Sequence, residues 1–249
     1  MAHLFTNRRR VFALTDTLSP RQFLWESINA ILYLVGGVTF VVGSIFFLPS
    51  FDAYEVIGAE LFFGGSILYL IVSVHDLVES VVYLRRRIHH LKYMVELLAA
   101  VTYCIGTVLF LIGSVLFMPS YESILAGSLC FIIGSGLFLV GACINVLQIV
   151  LAGSLLTLQL LNATAISFIA GSVLFLVASV PYLWTIPESP YKYQLFTYVA
   201  WEYIVGSMLF FGGGVVNYIR AGQAMRHYVV QKETRHSLRM KKKAEHELT

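Results

Sequence analysis

The chain has 249 residues, of which 58% are hydrophobic and 12% charged, with a mean hydropathy of +0.77. A soluble domain carries about 25% charged residues, so this composition excludes a water-soluble globular protein. The formal net charge is only +3, and the information lies in where the charges stand rather than in their sum.

Residues 1–26 form a polar N-terminal segment in which Arg8, Arg9, Arg10, Asp16 and Arg21 interrupt any apolar stretch. No cleavable signal peptide is expected there, and the first helix must direct insertion itself. Six apolar runs follow: Ser27–Leu48, Tyr54–Asp76, Val95–Met118, Ser123–Gln148, Ser154–Pro181 and Leu195–Arg220. Each is long enough to cross a hydrocarbon core of about 30 Å as a helix. They predict an all-α polytopic membrane protein of six spans, arranged as three tandem antiparallel hairpins. Hairpin 1 covers 27–80, a basic loop 81–94, hairpin 2 95–150, a divergent hairpin 3 151–220 and a basic tail 221–249.

Sixteen of the 17 Lys and Arg fall before the first run, between the second and third, or after the sixth. Only Lys192 falls on the other side, where the loops carry Asp52, Glu55, Glu122 and Glu188. Positive residues stay cytoplasmic, so both termini are expected inside. Cys104, Cys130 and Cys143 all fall inside predicted spans. Their odd number and their depth argue against a disulfide framework, and no His or Cys spacing resembles a zinc site. They are expected to be small packing residues. No metal and no cofactor is called for.

The phrase VVGSIFFLPS at 41–50 returns as LIGSVLFMPS at 111–120 and as IAGSVLFLVAS at 169–179. Aligning on it places Gly43-Ser44, Gly113-Ser114 and Gly171-Ser172 in the first helix of each hairpin. Gly65-Ser66, Gly134-Ser135 and Gly206-Ser207 then fall in the return helix. In this alignment the third outer loop, PYLWTIPESPYKYQ, is longer by about 13 residues. Steps of seven recur between Gly36 and Gly43, Gly58 and Gly65, Gly106 and Gly113, Gly127, Gly134 and Gly141, and Gly206 and Gly213. Thr164, Gly171 and Ala178 keep the step in the fifth helix. A seven-residue step returns to nearly one face, and small residues there let helices approach closely, which in lipid is the main source of association. Pro49-Ser50 and Pro119-Ser120 act as helix stops. Phe46, Phe47, Phe51, Tyr54, Phe117, Tyr121, Tyr182, Trp184, Tyr191 and Tyr193 cluster at the same level and predict an interfacial aromatic belt.

The stretches GSIFFLPS…GGSILYLIVSVHD and GSVLFMPS…IGSGLFLVGACIN resemble the YrhK-like domain, a small membrane hairpin module found mainly in bacteria. The resemblance covers residues 28 to 148. Hairpin 3 departs from it in its long loop and lost Pro-Ser. The resemblance implies a multi-span membrane protein and supplies no catalytic residue.

Candidate functional residues are few. Glu60 stands about six residues inside the second helix, and an ionisable group at that depth is costly and read first as functional; the alternative is a carboxyl that fixes helix register. Glu202 has a comparable depth in the sixth helix; the repeat alignment places Trp201, not Glu202, opposite Glu60, and the comparable depth leaves a pairing of the two carboxyls open. An inner polar layer comprises Glu26, His75, Asp76, Glu96, Asn145 and Asn217. A histidine beside carboxylates suits proton relay, against a plainer role at helix ends. Arg85, Arg86, Arg87 and Lys92, with the tail, form a basic patch suited to anionic lipid headgroups. The same charges already serve topology, which argues against nucleic acid. No nucleophile elbow, P-loop or HExxH appears, so an enzyme is not expected. The function expected is a membrane scaffold or accessory subunit assembling through its small-residue faces, as a homo-oligomer or in a larger complex. The alternative is a proton or small-ion channel using Glu60 and Glu202.

Overall fold

The computed structural model describes residues 20–86, 91–118, 120–121, 123–149 and 155–247. For 20–26, 83–86, 91–93, 147–149, 157, 217 and 220–247 only the backbone is described. The chain is all-helical, with α1 Pro20–Ile45, α2 Glu55–Arg86, α3 Leu91–Leu116, α4 Ile124–Ile149, α5 Leu155–Ser179 and α6 Pro190–Glu247. Short 3-10 turns at Pro49–Tyr54 and Val180–Leu183 follow α1 and α5. Among the described residues, six helices are long and apolar enough to cross a membrane, with membrane-compatible windows between 19 and 34 residues long. The proline stop operates as expected: Leu48 turns extended at φ −66°, ψ 134° before Pro49, because proline disfavours the helical region for the residue preceding it.

The glycines set how the helices meet. A Cβ built on Gly43 would stand 3.1 Å from the carbonyl oxygen of Gly58, and one on Gly36 3.4 Å from that of Gly65. The reversed order makes α1 and α2 antiparallel. Gly113 meets Gly127 at 3.1 Å and Gly106 meets Gly134 at 3.0 Å between α3 and α4. Gly171 meets Gly206 at 3.1 Å between α5 and α6. Gly141 lies against Thr102 and Tyr103, and Gly213 against Ser167 and Phe168. The small-residue faces are therefore filled within the chain.

Each helix packs on its neighbours in sequence, and α1 also packs on α6, so the six close into a ring. The closing seam joins Tyr33 to Phe210 by a hydrogen bond from the hydroxyl to the carbonyl oxygen, 3.1 Å, and Ser44 to Ser207 at 3.0 Å between hydroxyls. Gly37 lies under Phe211 and Gly214 under Tyr33.

The ring has an approximate threefold repeat, and it corrects the alignment of the third unit. Phe40 lies 4.9 Å from Phe62 and 5.1 Å from Tyr69 by ring centroids. Phe110 lies 5.0 Å from both Phe131 and Phe138, and Phe175 lies 5.2 Å from Tyr203 and 5.5 Å from Phe210. Ser44, Ser114 and Ser179 each donate to the carbonyl of Phe40, Phe110 and Phe175 respectively, at 2.7–2.8 Å. Thus Ala178-Ser179, not Gly171-Ser172, occupies the place of Gly43-Ser44, and Gly171 occupies that of Gly36 and Gly106. The sequence alignment was one heptad out. The third loop is longer by about seven residues rather than thirteen.

The centre of the ring is a filled aromatic stack. Phe40, Phe110, Phe175, Tyr69, Phe138 and Phe210, with Ser66 and Thr107, enclose a cavity of about 10 Å³, at the lower limit for a single water. Phe47, Phe117 and Tyr182 do not join the surface belt. They cap this stack, against Phe62 at 5.0 Å, Phe131 at 5.1 Å and Phe196 at 5.0 Å. Phe51, Tyr54, Tyr121, Trp184, Tyr191 and Tyr193 are exposed, as a belt requires. The outer wall is aliphatic, with Ile31, Val35, Val38, Ile67, Ile71, Val74, Ile133 and Met208 turned outward. The three cysteines are free; Cys104 and Cys130 are half-buried, and Cys143 is exposed.

The sixth helix exceeds its expected span. Its membrane-compatible part ends at Val216, and the helix continues to Glu247, a further stretch of about 46 Å at 1.5 Å per residue.

Candidate functional site

Polar side chains gather at the end of the ring where α1, α3 and α5 begin, the basic end. Position along each helix explains this. The aromatic stack occupies the middle turns, and the polar residues one or two turns further on face the same interior. On α2, Ser73, Asp76 and Ser80 follow the 3.6-residue stripe and are buried. Asp76 is 1% exposed, and its repeat equivalent on α4, Asn145, is 0% exposed.

The cluster is connected. Asn29 on α1 lies 2.8 Å from His75 Nδ1 through its amide nitrogen. His75 Nε2 is 4.0 Å from the Glu79 carboxylate one turn on, and both side chains are about a third exposed. Ser80 donates to the Asp76 carbonyl at 2.9 Å. On α3, Tyr103 projects toward α4, and Asn145 Nδ2 donates to its hydroxyl oxygen at 3.2 Å. Asp76 acts electrostatically on both Tyr103 and Cys104, so α2 and α4 converge on Tyr103 from either side. Asn145 Oδ1 is buried and has no hydrogen-bond partner among the described residues.

Of the predicted inner layer, His75, Asp76 and Asn145 are brought together here. Glu96 is half-buried on α3, while the side chains of Glu26 and Asn217 lie outside the described residues. Arg85 and Arg86 continue α2 and Lys92 lies in the first turn of α3; their side chains, and Arg87 altogether, also lie outside what is described. Asn29, Ser73, Thr102 and Tyr103 were not anticipated. A signal existed for Tyr103: Tyr33 and Tyr103 both stand seven residues before the core residues Phe40 and Phe110, and Phe168 stands seven before Phe175.

The structure does not bring Glu60 and Glu202 together. They stand on the two helices that flank α1, and Glu60 is exposed on the outer wall, about 8 Å along α2 from Glu55. Glu202 is half-buried. Glu60 is two residues from Gly58, so it stands about 200° round the helix from the glycine stripe that meets α1.

Among the described residues no group of three or more His, Cys, Asp or Glu is placed to hold a metal ion. The cluster combines a carboxylate, a phenol, an imidazole and amide oxygens at one end of the ring.

Two segments, residues 24–81 and 94–150, each match the model of the YrhK-like protein family. The chain thus carries two tandem copies of the YrhK-like unit, which make up its first four helices. Neither the curated proteins nor the solved structures contain a match.

Proposed function

From a chain built on two tandem YrhK-like units, we propose a non-enzymatic integral membrane scaffold or accessory subunit. Its helices form three tandem hairpins with both termini in the cytoplasm, in a bacterial inner membrane. One observation carries this reading: the interior of the ring is a continuous aromatic stack around a void of about 10 Å³, which holds at most a single water. An ion pathway through one chain needs a wetted interior, and this interior is packed with Phe and Tyr.

The glycine faces are engaged within the chain, so partner binding falls to other surfaces. The cytoplasmic extension of α6 supports this role. It carries Arg226, Lys232, Arg235, Arg239 and the run Lys241–Lys243 on a helix that continues past the membrane. Arg85, Arg86, Arg87 and Lys92 supply the headgroup-binding patch near the bilayer. Assembly into a homo-oligomer or larger complex uses the aliphatic outer wall.

Ion conduction is the second reading, and outward-facing Glu60 is the observation behind it: copies assembled side by side would line an interface with this carboxyl. Proton flux in proteoliposomes separates the two. Wild type at no more than the flux of empty liposomes, together with a protein retained through mild-detergent purification and lost on removing residues 221–249, is the expected result. A pH-driven flux abolished by Glu60→Gln refutes the scaffold reading.

A further inference from the structure

Two outer walls of the ring carry complementary polar groups at one depth. Phe62 on α2 and Tyr203 on α6 touch across the interior, with ring centroids 6.2 Å apart. Both helices start at the end opposite the basic one, so the residues two positions before each stand at one level. These are Glu60 and Trp201, with Leu129 two before Phe131 at the same place on α4. All three are exposed within membrane-compatible spans. Leu129 suits lipid. Glu60 places a carboxyl there, and Trp201 an indole N–H, with the exposed Tyr198 hydroxyl one turn before it. Glu60, Tyr198 and Trp201 have no hydrogen-bond or ionic partner among the described residues. A bare carboxyl in a lipid-facing wall is costly, and Trp N–H and Tyr O–H groups taken out of water usually find an acceptor.

We propose that the α2 wall around Glu60 docks the α6 wall of a second copy of this chain, where Trp201 and Tyr198 donate their N–H and O–H to the Glu60 carboxyl. The proposal rests on the homo-oligomer part of the scaffold reading and names the two faces that meet. Copies inserted in one sense share their depths, so Glu60 of one copy stands level with Trp201 of the next, on helices that run parallel. The other pairings do not serve. α2 on α2 sets carboxylate against carboxylate, a repulsion in a medium of low dielectric. α6 on α6 leaves Glu60 in lipid.

Shape agrees with the polar match. Gly64 lies one turn beyond Glu60, and a Cβ built there meets nothing within 4 Å. The residue at its level on α6 is Val205, which is exposed one turn beyond Trp201. The Gly64 notch therefore faces a side chain that fills it. Ile57 and Ile67 are exposed on either side of Glu60 along α2 and supply an apolar rim. The contact is heterologous, α2 of one copy on α6 of the next, and repeats from copy to copy.

The test is disulfide cross-linking between full-length chains in intact membranes, in a background with Cys104, Cys130 and Cys143 replaced. Gly64→Cys and Val205→Cys are made in separate, differently tagged chains, which leaves Glu60, Tyr198 and Trp201 in place. Co-expressed, the two are expected to give a mixed dimer on oxidation, while either alone gives none. Ile133→Cys, at the same level on the α4 wall, is expected to give no dimer with either. Glu60→Leu, which places at α2 the residue that α4 already carries, is expected to lower the yield of mixed dimer by about tenfold, the worth of hydrogen bonds to a charged group. A dimer from Gly64→Cys alone, equal products from Ile133→Cys, a yield indifferent to Glu60→Leu, or no product between chains overturns the proposal; the last leaves Glu60 to lipid or to a different protein. These outcomes are separate from those for the scaffold reading, which is judged by flux and co-purification and stands if the copies meet elsewhere.

Discussion

Gly134 and Gly136 stand two residues apart on α4 and make opposite predictions. A Cβ at Gly134 would lie 2.8 Å from the Phe110 ring and 3.0 Å from the carbonyl oxygen of Gly106. The second contact is backbone and cannot swing away, so α3 and α4 must separate. Overpacking of this kind costs about 1–3 kcal/mol, less about 0.4–1 kcal/mol regained by replacing a helical glycine. Gly134→Ala is therefore expected to destabilise by about 1–2 kcal/mol. A Cβ at Gly136 meets nothing within 4 Å, so Gly136→Ala keeps only the gain. The variants should differ by about 2 kcal/mol, or about 4–8 °C in Tm at 2–4 °C per kcal/mol for a chain of this size. Thermal unfolding in lipid–detergent micelles, followed by circular dichroism, reads the difference. Equal Tm values, or a less stable Gly136→Ala, would refute close backbone approach as the organising contact.

Two further predictions bear on the ring. In a chain with Cys104, Cys130 and Cys143 replaced, the pair Ala178→Cys with Val199→Cys is expected to oxidise readily and Gly171→Cys with Val199→Cys to fail, because α5 is set one heptad from its apparent alignment; the reverse result restores the sequence register. Tyr33→Phe removes the bond to the Phe210 carbonyl at the closing seam and is expected to cost about 1 kcal/mol, or about 2–4 °C in Tm, while Tyr54→Phe, on an exposed ring, is expected to change nothing measurable.

The helices and their glycine contacts were legible because close approach in lipid requires small residues, and Gly36, Gly43, Gly58 and Gly65 announce one face by their spacing. The register of the third unit was not. A slip of seven leaves every residue on the same face, so Gly171-Ser172 and Ala178-Ser179 are equivalent to any periodicity argument, and only the Phe175 contacts choose between them. Closure of α1 on α6 was hidden for a related reason: a repeat says that units stack, not whether the last meets the first or another copy. Depth singled out Glu60 without regard to azimuth, and the same glycine stripe places it on the exposed wall. For the polar cluster, Asp76 and Asn145 were visible as repeat equivalents. Asn29 and Ser73 were not, since a small polar residue amid apolar ones carries no sign of which way it faces.

Closure is the claim on which the filled interior and the outward-facing function both depend. Its most direct test is oxidation of Ser44→Cys with Ser207→Cys in the chain lacking its native cysteines, carried out in intact membranes. The two hydroxyls are 3.0 Å apart, so a closed ring gives an intramolecular disulfide and a faster-migrating monomer. A product found only as a cross-linked dimer, or no product at all, would mean that α1 and α6 do not meet within one chain.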